Sequence, residues 1–238
     1  LGYLSSKADP KKYVQGGIER GNPKEKKIAL VFTGHEFADG ANVISKSLKK
    51  SGAKGSFFLT GDFYRKYPKI SVKLQKEGHY MAPHSDKHLL YNDWGERSKT
   101  LVTKEIFEKD LYDNYRAMEK IGLKINEPRY FIPPYEWYNL QISDWAKEMD
   151  VQVVNFTPGT GSNADYTTPD MKNYRSSETI YNNVLQYETA NTLNGFLLLI
   201  HIGTHPARKD KLYNRLDDLI KELQMRGYEF VRVDKMME

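Results

Sequence analysis

A chain of 238 residues, 39% hydrophobic and 28% charged, is sized for one globular α/β domain. Its lack of cysteine excludes disulfides, zinc–thiolate centres and a cysteine nucleophile. The net charge of +5 comes from short dispersed runs such as Lys49–Lys50 rather than one basic stripe, so no nucleic-acid partner is expected. No apolar run reaches the ~20 residues of a membrane span. The chain opens on Leu1 rather than Met and carries no signal peptide, as expected of a processed or trimmed start.

Residues 1–25, with Gly16-Gly17 and Gly21-Asn22-Pro23, read as an irregular lead-in, and residues 26–238 as a single domain. Ile28–Thr33 has the length and apolarity of a strand. Val43–Lys50 has helical spacing and stops at Ser51-Gly52. Gly55–Thr60 reads as a strand, Tyr67–Glu77 as a helix closed by Gly78, and His79–Ala82 as a short strand. A long helix is expected over Lys104–Ile121, with Leu111, Tyr115 and Met118 on one face. Tyr130–Ile132 (strand), Leu140–Met149 (helix) and Val151–Phe156 (strand) follow. After a long polar loop, Thr179–Tyr187 is helical and Phe196–Ile200 is the most apolar strand. Leu212, Leu216, Leu219, Ile220 and Leu223 mark an amphipathic helix, and Tyr228–Val233 closes the chain. Strands alternating with helices predict a mostly parallel sheet covered by helices; about seven strands fit a closed or nearly closed barrel.

Three histidine-bearing segments then fall at the C-terminal ends of strands, the edge where barrel enzymes keep their sites. His84 and His88 follow His79–Ala82; on a helical turn their i, i+4 spacing would put both imidazoles on one face, where they could grip a divalent cation. His35, Glu36 and Asp39 follow the first strand, and His201 follows Phe196–Ile200. Aromatics make up 13% of the chain, with 17 Tyr, and the cluster Tyr135, Trp137 and Tyr138 suits the stacking of a sugar ring. His79 and His205 read as structural.

From Ile28 to Val233 the chain resembles the polysaccharide deacetylases of carbohydrate esterase family four, the NodB-like domain. Ile28-Ala29-Leu30-Val31-Phe32 resembles the strand leading into the family's Phe-Asp-Asp-Gly motif. His84-Ser85-Asp86-Lys87-His88 matches its metal motif, Pro133-Pro134-Tyr135 most of an Arg-Pro-Pro-Tyr motif, and Leu199-Ile200-His201 the closing Leu-x-His. Asp165-Tyr166 faintly resembles a family Asp-Trp pair. The resemblance implies a distorted (β/α) barrel and a divalent metal, with Zn²⁺ first among candidates. It implies removal of N- or O-acetyl groups from a glycan, with His201 as acid and a backbone N–H near Tyr135 holding the oxyanion. It also implies an extracytoplasmic location: periplasmic, secreted or lipid-anchored.

Two departures accompany it. The family's paired aspartates fall on Thr33 and Gly34, and the motif arginine on Ile132, with Arg129 three residues earlier. The replacements expected from the sequence are His35 as third metal ligand beside His84 and His88, and Glu36 or Asp39 as base, with Pro134, Tyr135 and Trp137 lining the substrate site. The alternative is a carbohydrate-binding protein that keeps the fold without the chemistry.

Overall fold

The computed structural model describes residues 8–238. Residues 1–7 of the expected lead-in lie outside it. The rest of that lead-in is not irregular. Lys12–Val14 (β1) and Gly17–Arg20 (β2) form an antiparallel hairpin that joins the main sheet. Its strands are too short and polar to show a period of two. Lys27–Gly34 (β3) leads to helix Ala41–Ser51 (α1), Ser56–Leu59 (β4), Gly61–Lys66 (α2), Pro68–Lys76 (α3) and Tyr80–Pro83 (β5). Helix α2 was not expected from the sequence. Thr60 caps it, its side chain accepting from Phe63 N, and Pro68 starts the next helix directly behind.

Lys104–Lys120 (α4) is followed by Tyr130–Phe131 (β6), Leu140–Glu148 (α5) and Gln152–Val153 (β7). Ser177–Asn191 (α6), Phe196–His201 (β8), Leu216–Met225 (α7), Glu229–Phe230 (β9) and Val233–Met236 (α8) complete the chain.

The main sheet runs β1-β2-β8-β3-β4-β5, with β9 also paired to β3, and β6-β7 form a separate parallel pair. Seven strands, β3 to β9, thus enter parallel pairs, while the hairpin runs antiparallel at one edge. An isolated bridge from Ile18 to Val154 ties β2 to the segment after β7. On the other side Tyr80 OH donates to Pro128 O (2.6 Å) and accepts from Tyr130 N (3.0 Å), bridging β5 to β6. The strands therefore curl into a distorted (β/α) barrel.

Alternation along the strands sorts two cores. Ala29, Val31, Phe58, Ala82, Leu197 and Leu199 face the barrel interior, where Val233 and Met236 of α8 join them. Ile28, Leu30, Phe32, Phe57, Leu198 and Ile200 face outward under the helices, with Ile44 and Leu48 of α1 and Leu219, Ile220 and Leu223 of α7. Both strand faces are buried, which is why these strands read as continuous apolar runs.

Candidate active site

The same alternation carries the interior out to the rim. Counting by twos from Ala29 and Val31 reaches Thr33; from Tyr80 and Ala82, His84; from Leu197 and Leu199, His201. All three line an open cavity of about 830 Å³ at the C-terminal ends of β3, β5 and β8, together with His35, His88 and Glu136.

The expected helical turn between His84 and His88 does not form. Residues 84–88 are an irregular loop in which Ser85 and His88 adopt left-handed backbone, φ 77° and 57°. The two imidazoles still meet, ring centroids 5.1 Å apart. Asp110, buried on α4, shapes the loop: it accepts from Ser85 Oγ and Tyr91 OH (both 2.6 Å) and from Lys87 N (3.2 Å). Ser85 Oγ in turn accepts from His88 N at 2.9 Å.

His84 is buried, and its Nδ1–H donates to Ile132 O at 2.7 Å. Its Nε2 lone pair is thereby fixed toward the cavity. Burial, reinforced by His88, pushes its pKa well below the ordinary histidine value. Burial and the neighbouring His35 and His201 push that of His88 down to about 3. Both rings are neutral at pH 7, the form that binds metal. His35 pairs through Nδ1 with Thr60 Oγ1 (3.0 Å), its ring 4.9 Å from that of His88.

Across the cavity His201 Nδ1 donates to Asp165 Oδ1 at 2.5 Å, and His201 N donates to Asp165 Oδ2 at 2.9 Å. Burial opposes charge on His201, but Asp165 and then Glu136 outweigh it and raise its pKa. Asp165 is itself buried, on a 3₁₀ turn of the long loop. An imidazole oriented by a carboxylate thus faces a pair of neutral imidazoles.

The other expected residues separate. Pro134 is buried in the 3₁₀ turn that presents Tyr135 and Glu136. Tyr135 lines the cavity, its ring 4.3 Å from that of His88. Trp137 lies behind it, stacked at 5.8 Å on exposed Trp94, which lines the cavity. Glu36 lines the cavity as well. Asp39 does not: it accepts from Thr204 N (2.9 Å), Tyr213 OH (2.6 Å) and Lys211 Nζ (3.1 Å), locking two loops together. Arg129 lies outside the cavity lining, paired with Glu127 at 3.2 Å.

Of the two positions where the family has aspartates, Thr33 leaves its buried hydroxyl without a hydrogen-bond partner. Gly34 faces outward, where a Cβ would stand 2.4 Å from Ile202 Cγ2 and 2.9 Å from Leu59 Cδ2.

Glu136 was not singled out by sequence. Its signal was an acidic residue directly after Pro133-Pro134-Tyr135, at the rim where the histidines converge. Its Oε1 lies 3.6 Å from His84 Nε2, and its pKa is raised to about 7 by burial, with His201 opposing and Asp165 adding. No group of three or more His, Asp or Glu side chains among the described residues is already arranged to hold an ion. The donor chemistry nevertheless suits a divalent cation: neutral imidazoles, that of His84 with its Nε2 directed inward, and a carboxylate within reach.

A sequence profile described as polysaccharide deacetylase matches residues 20–154, more than half the chain, and the chain belongs to that family. It is 26% identical over 214 residues to a peptidoglycan-N-acetylglucosamine deacetylase of Bacillus cereus, covering 89% of this chain and 68% of that one. It is 29% identical to the peptidoglycan-N-acetylmuramic acid deacetylase PdaC of Bacillus subtilis, covering 91% of this chain but only 40% of PdaC. A carbohydrate esterase family-four pseudoenzyme from Bacillus anthracis superposes with a TM-score of 0.75 at 17% identity, over 95% of this chain and 70% of that one. The last likeness concerns the fold alone.

Proposed function

We propose that the chain is a metal-dependent hydrolase that removes acetyl groups from an extracytoplasmic glycan, with N-acetylated cell-wall polysaccharide the foremost substrate class. The observation that carries this reading is the arrangement of neutral His84 and His88 opposite the His201–Asp165 pair in one open cavity. The relatives' own activities support the substrate class.

A bound divalent ion, Zn²⁺ foremost, would polarise the acetyl carbonyl and acidify a water. His84 and His88 offer nitrogens to hold it, and His35 stands next to His88 as a third. Of the two carboxylates first read as bases, only Glu36 faces the cavity. His201, its pKa raised by Asp165, is positioned to donate a proton to the leaving amine or alcohol through Nε2. Exposed Tyr135 and Trp94 form an aromatic rim, rings 5.6 Å apart, against which a sugar face can pack.

One observation favours a second reading, glycan binding without turnover: neither usual aspartate is present, and Gly34 has no space for one. Isothermal titration with acetylated glycan fragments, run beside acetate detection, separates the two. Acetate release by the zinc-loaded protein, lost in His84→Ala, supports the hydrolase; binding that survives His84→Ala with no acetate supports the binding protein.

A further inference from the structure

We propose that Glu136 supplies the charged ligand of the metal centre, taking the part of the aspartate that Thr33 and Gly34 leave unfilled. The inference rests on the metal-dependent reading above and adds one residue to it. Four observations converge.

First, the carboxylate is placed at an energetic cost. Tyr135 and Glu136 both lie in the left-handed region, φ 60° and 53°. The turn imposes this: Glu136 N donates to Pro133 O (3.0 Å), and Glu136 O accepts from Asn155 Nδ2 (3.0 Å). Glycine takes such backbone freely, whereas a glutamate there is strained, so its side chain is the part that needs an explanation.

Second, the side chain is only 15% exposed, yet its carboxylate receives no hydrogen bond among the described residues. The ionised carboxylate there has no donor, a cost that a bound cation would offset.

Third, the group facing Glu136 Oε1 cannot donate in its neutral form. His84 spends its Nδ1–H on Ile132 O, so its Nε2 presents a lone pair to the carboxylate across 3.6 Å. Two lone pairs so placed are satisfied by a positive charge between them, which a shared divalent ion would supply. Two donors on one tetrahedral zinc, each ~2.0–2.1 Å from the ion, stand roughly 3.4 Å apart. The observed spacing is close to that of a shared coordination shell.

Fourth, the other donors next to His84 are neutral nitrogens: Glu36 and Asp170 also line the cavity, but neither pairs with a histidine among the described residues. Asp39 is committed to Thr204, Tyr213 and Lys211, and Asp165 to His201. Glu136 is the carboxylate closest to His84 Nε2.

The test reads metal rather than turnover. The full chain is stripped with chelator and titrated with Zn²⁺ against a chromophoric competitor, in wild type, Glu136→Gln, Glu136→Gly and His84→Ala. Loss of an outer hydrogen-bond partner alone weakens a metal site roughly 10–100-fold, so loss of the charged ligand is expected to weaken it by ~100-fold or more in both Glu136 variants. Glu136→Gly guards against misfolding: it relieves the left-handed strain, so its melting temperature is expected to equal or exceed that of wild type. Near-stoichiometric zinc in wild type and in Glu136→Gln with equal affinity, alongside loss in His84→Ala, overturns the Glu136 assignment and leaves the metal-dependent reading standing. A wild type that takes up no zinc overturns both.

Discussion

Among its neighbours, His201 is tuned mainly by Asp165. Burial alone would lower its pKa; Asp165, bonded to both its ring and its backbone, turns the balance upward. Asp165→Asn removes that support, so the His201 pKa is expected to fall below that of a free imidazole, visible in the proton resonance of its ring. If acid catalysis depends on it, acetate release is expected to drop about 10²–10⁴-fold, in line with loss of a positioned acid. His79 behaves oppositely. It is buried, accepts from Gly55 N at 3.1 Å, and has its pKa lowered to about 4, by burial first and then by Lys54, against Glu77. A histidine depressed on folding contributes stability above its unfolded value near 6.5, and that stability is lost as pH falls toward 4. The loss amounts to roughly 3 kcal/mol. Denaturant midpoints at pH 7.5 and 4.5 are expected to differ less in His79→Asn, whose Oδ1 keeps the acceptor without taking a proton.

At the scale of elements, the active loop is shaped from outside itself. Asp110 of α4 gathers Ser85, Lys87 and Tyr91, and the left-handed turns at Ser85 and His88 depend on it. Asp110→Ala strands two buried hydroxyls, a loss of roughly 2–4 kcal/mol by equilibrium unfolding. It is also expected to weaken zinc binding although Asp110 touches no ion. The sequence could not show this, because one aspartate beside Leu111 on a long amphipathic helix reads as an ordinary polar position. The spacing of His84 and His88 suggested a helical turn for the same kind of reason: the meeting of the rings was legible, but the backbone that achieves it is set by a residue 22–26 positions away. Strands β3 and β8 were legible within a residue or two because both faces are buried and their apolar runs are unbroken. The hairpin β1–β2 was not, being three and four residues long. Helix α2 was missed because it is one and a half turns between a cap and a proline, too short for a periodic pattern.

At the scale of the whole molecule, two layers meet along each strand, and that division decides what the rim can hold. Positions in step with Val31 and Leu199 reach the cavity; positions in step with Phe32 and Ile200 reach the helical layer. Gly34 is of the second kind. Filling it with even a methyl group, as Gly34→Ala, is expected to cost about 1–3 kcal/mol of stability by overpacking against Ile202 and Leu59. A thermal melt unchanged from wild type would contradict that. Putting an aspartate back at Gly34 is therefore expected to destabilise the fold rather than rebuild the usual site. The barrel class and the convergence of His84, His88 and His201 could be read from strand order and motif spacing. The carboxylates beside them were less legible: Asp165 showed only as part of a faint family pair and Glu136 was not singled out, since they reach the cavity from a long loop and a strained turn whose paths no periodic pattern encodes.

The most direct measurement is acetate release from N-acetylated peptidoglycan by the full chain loaded with one equivalent of Zn²⁺, beside the chelated protein and His88→Ala. Release by the loaded protein alone, abolished by chelation and by the substitution, is the predicted result. Stoichiometric zinc and measurable glycan binding without acetate from N- or O-acetylated polymers would contradict it and identify a binding protein on a deacetylase fold.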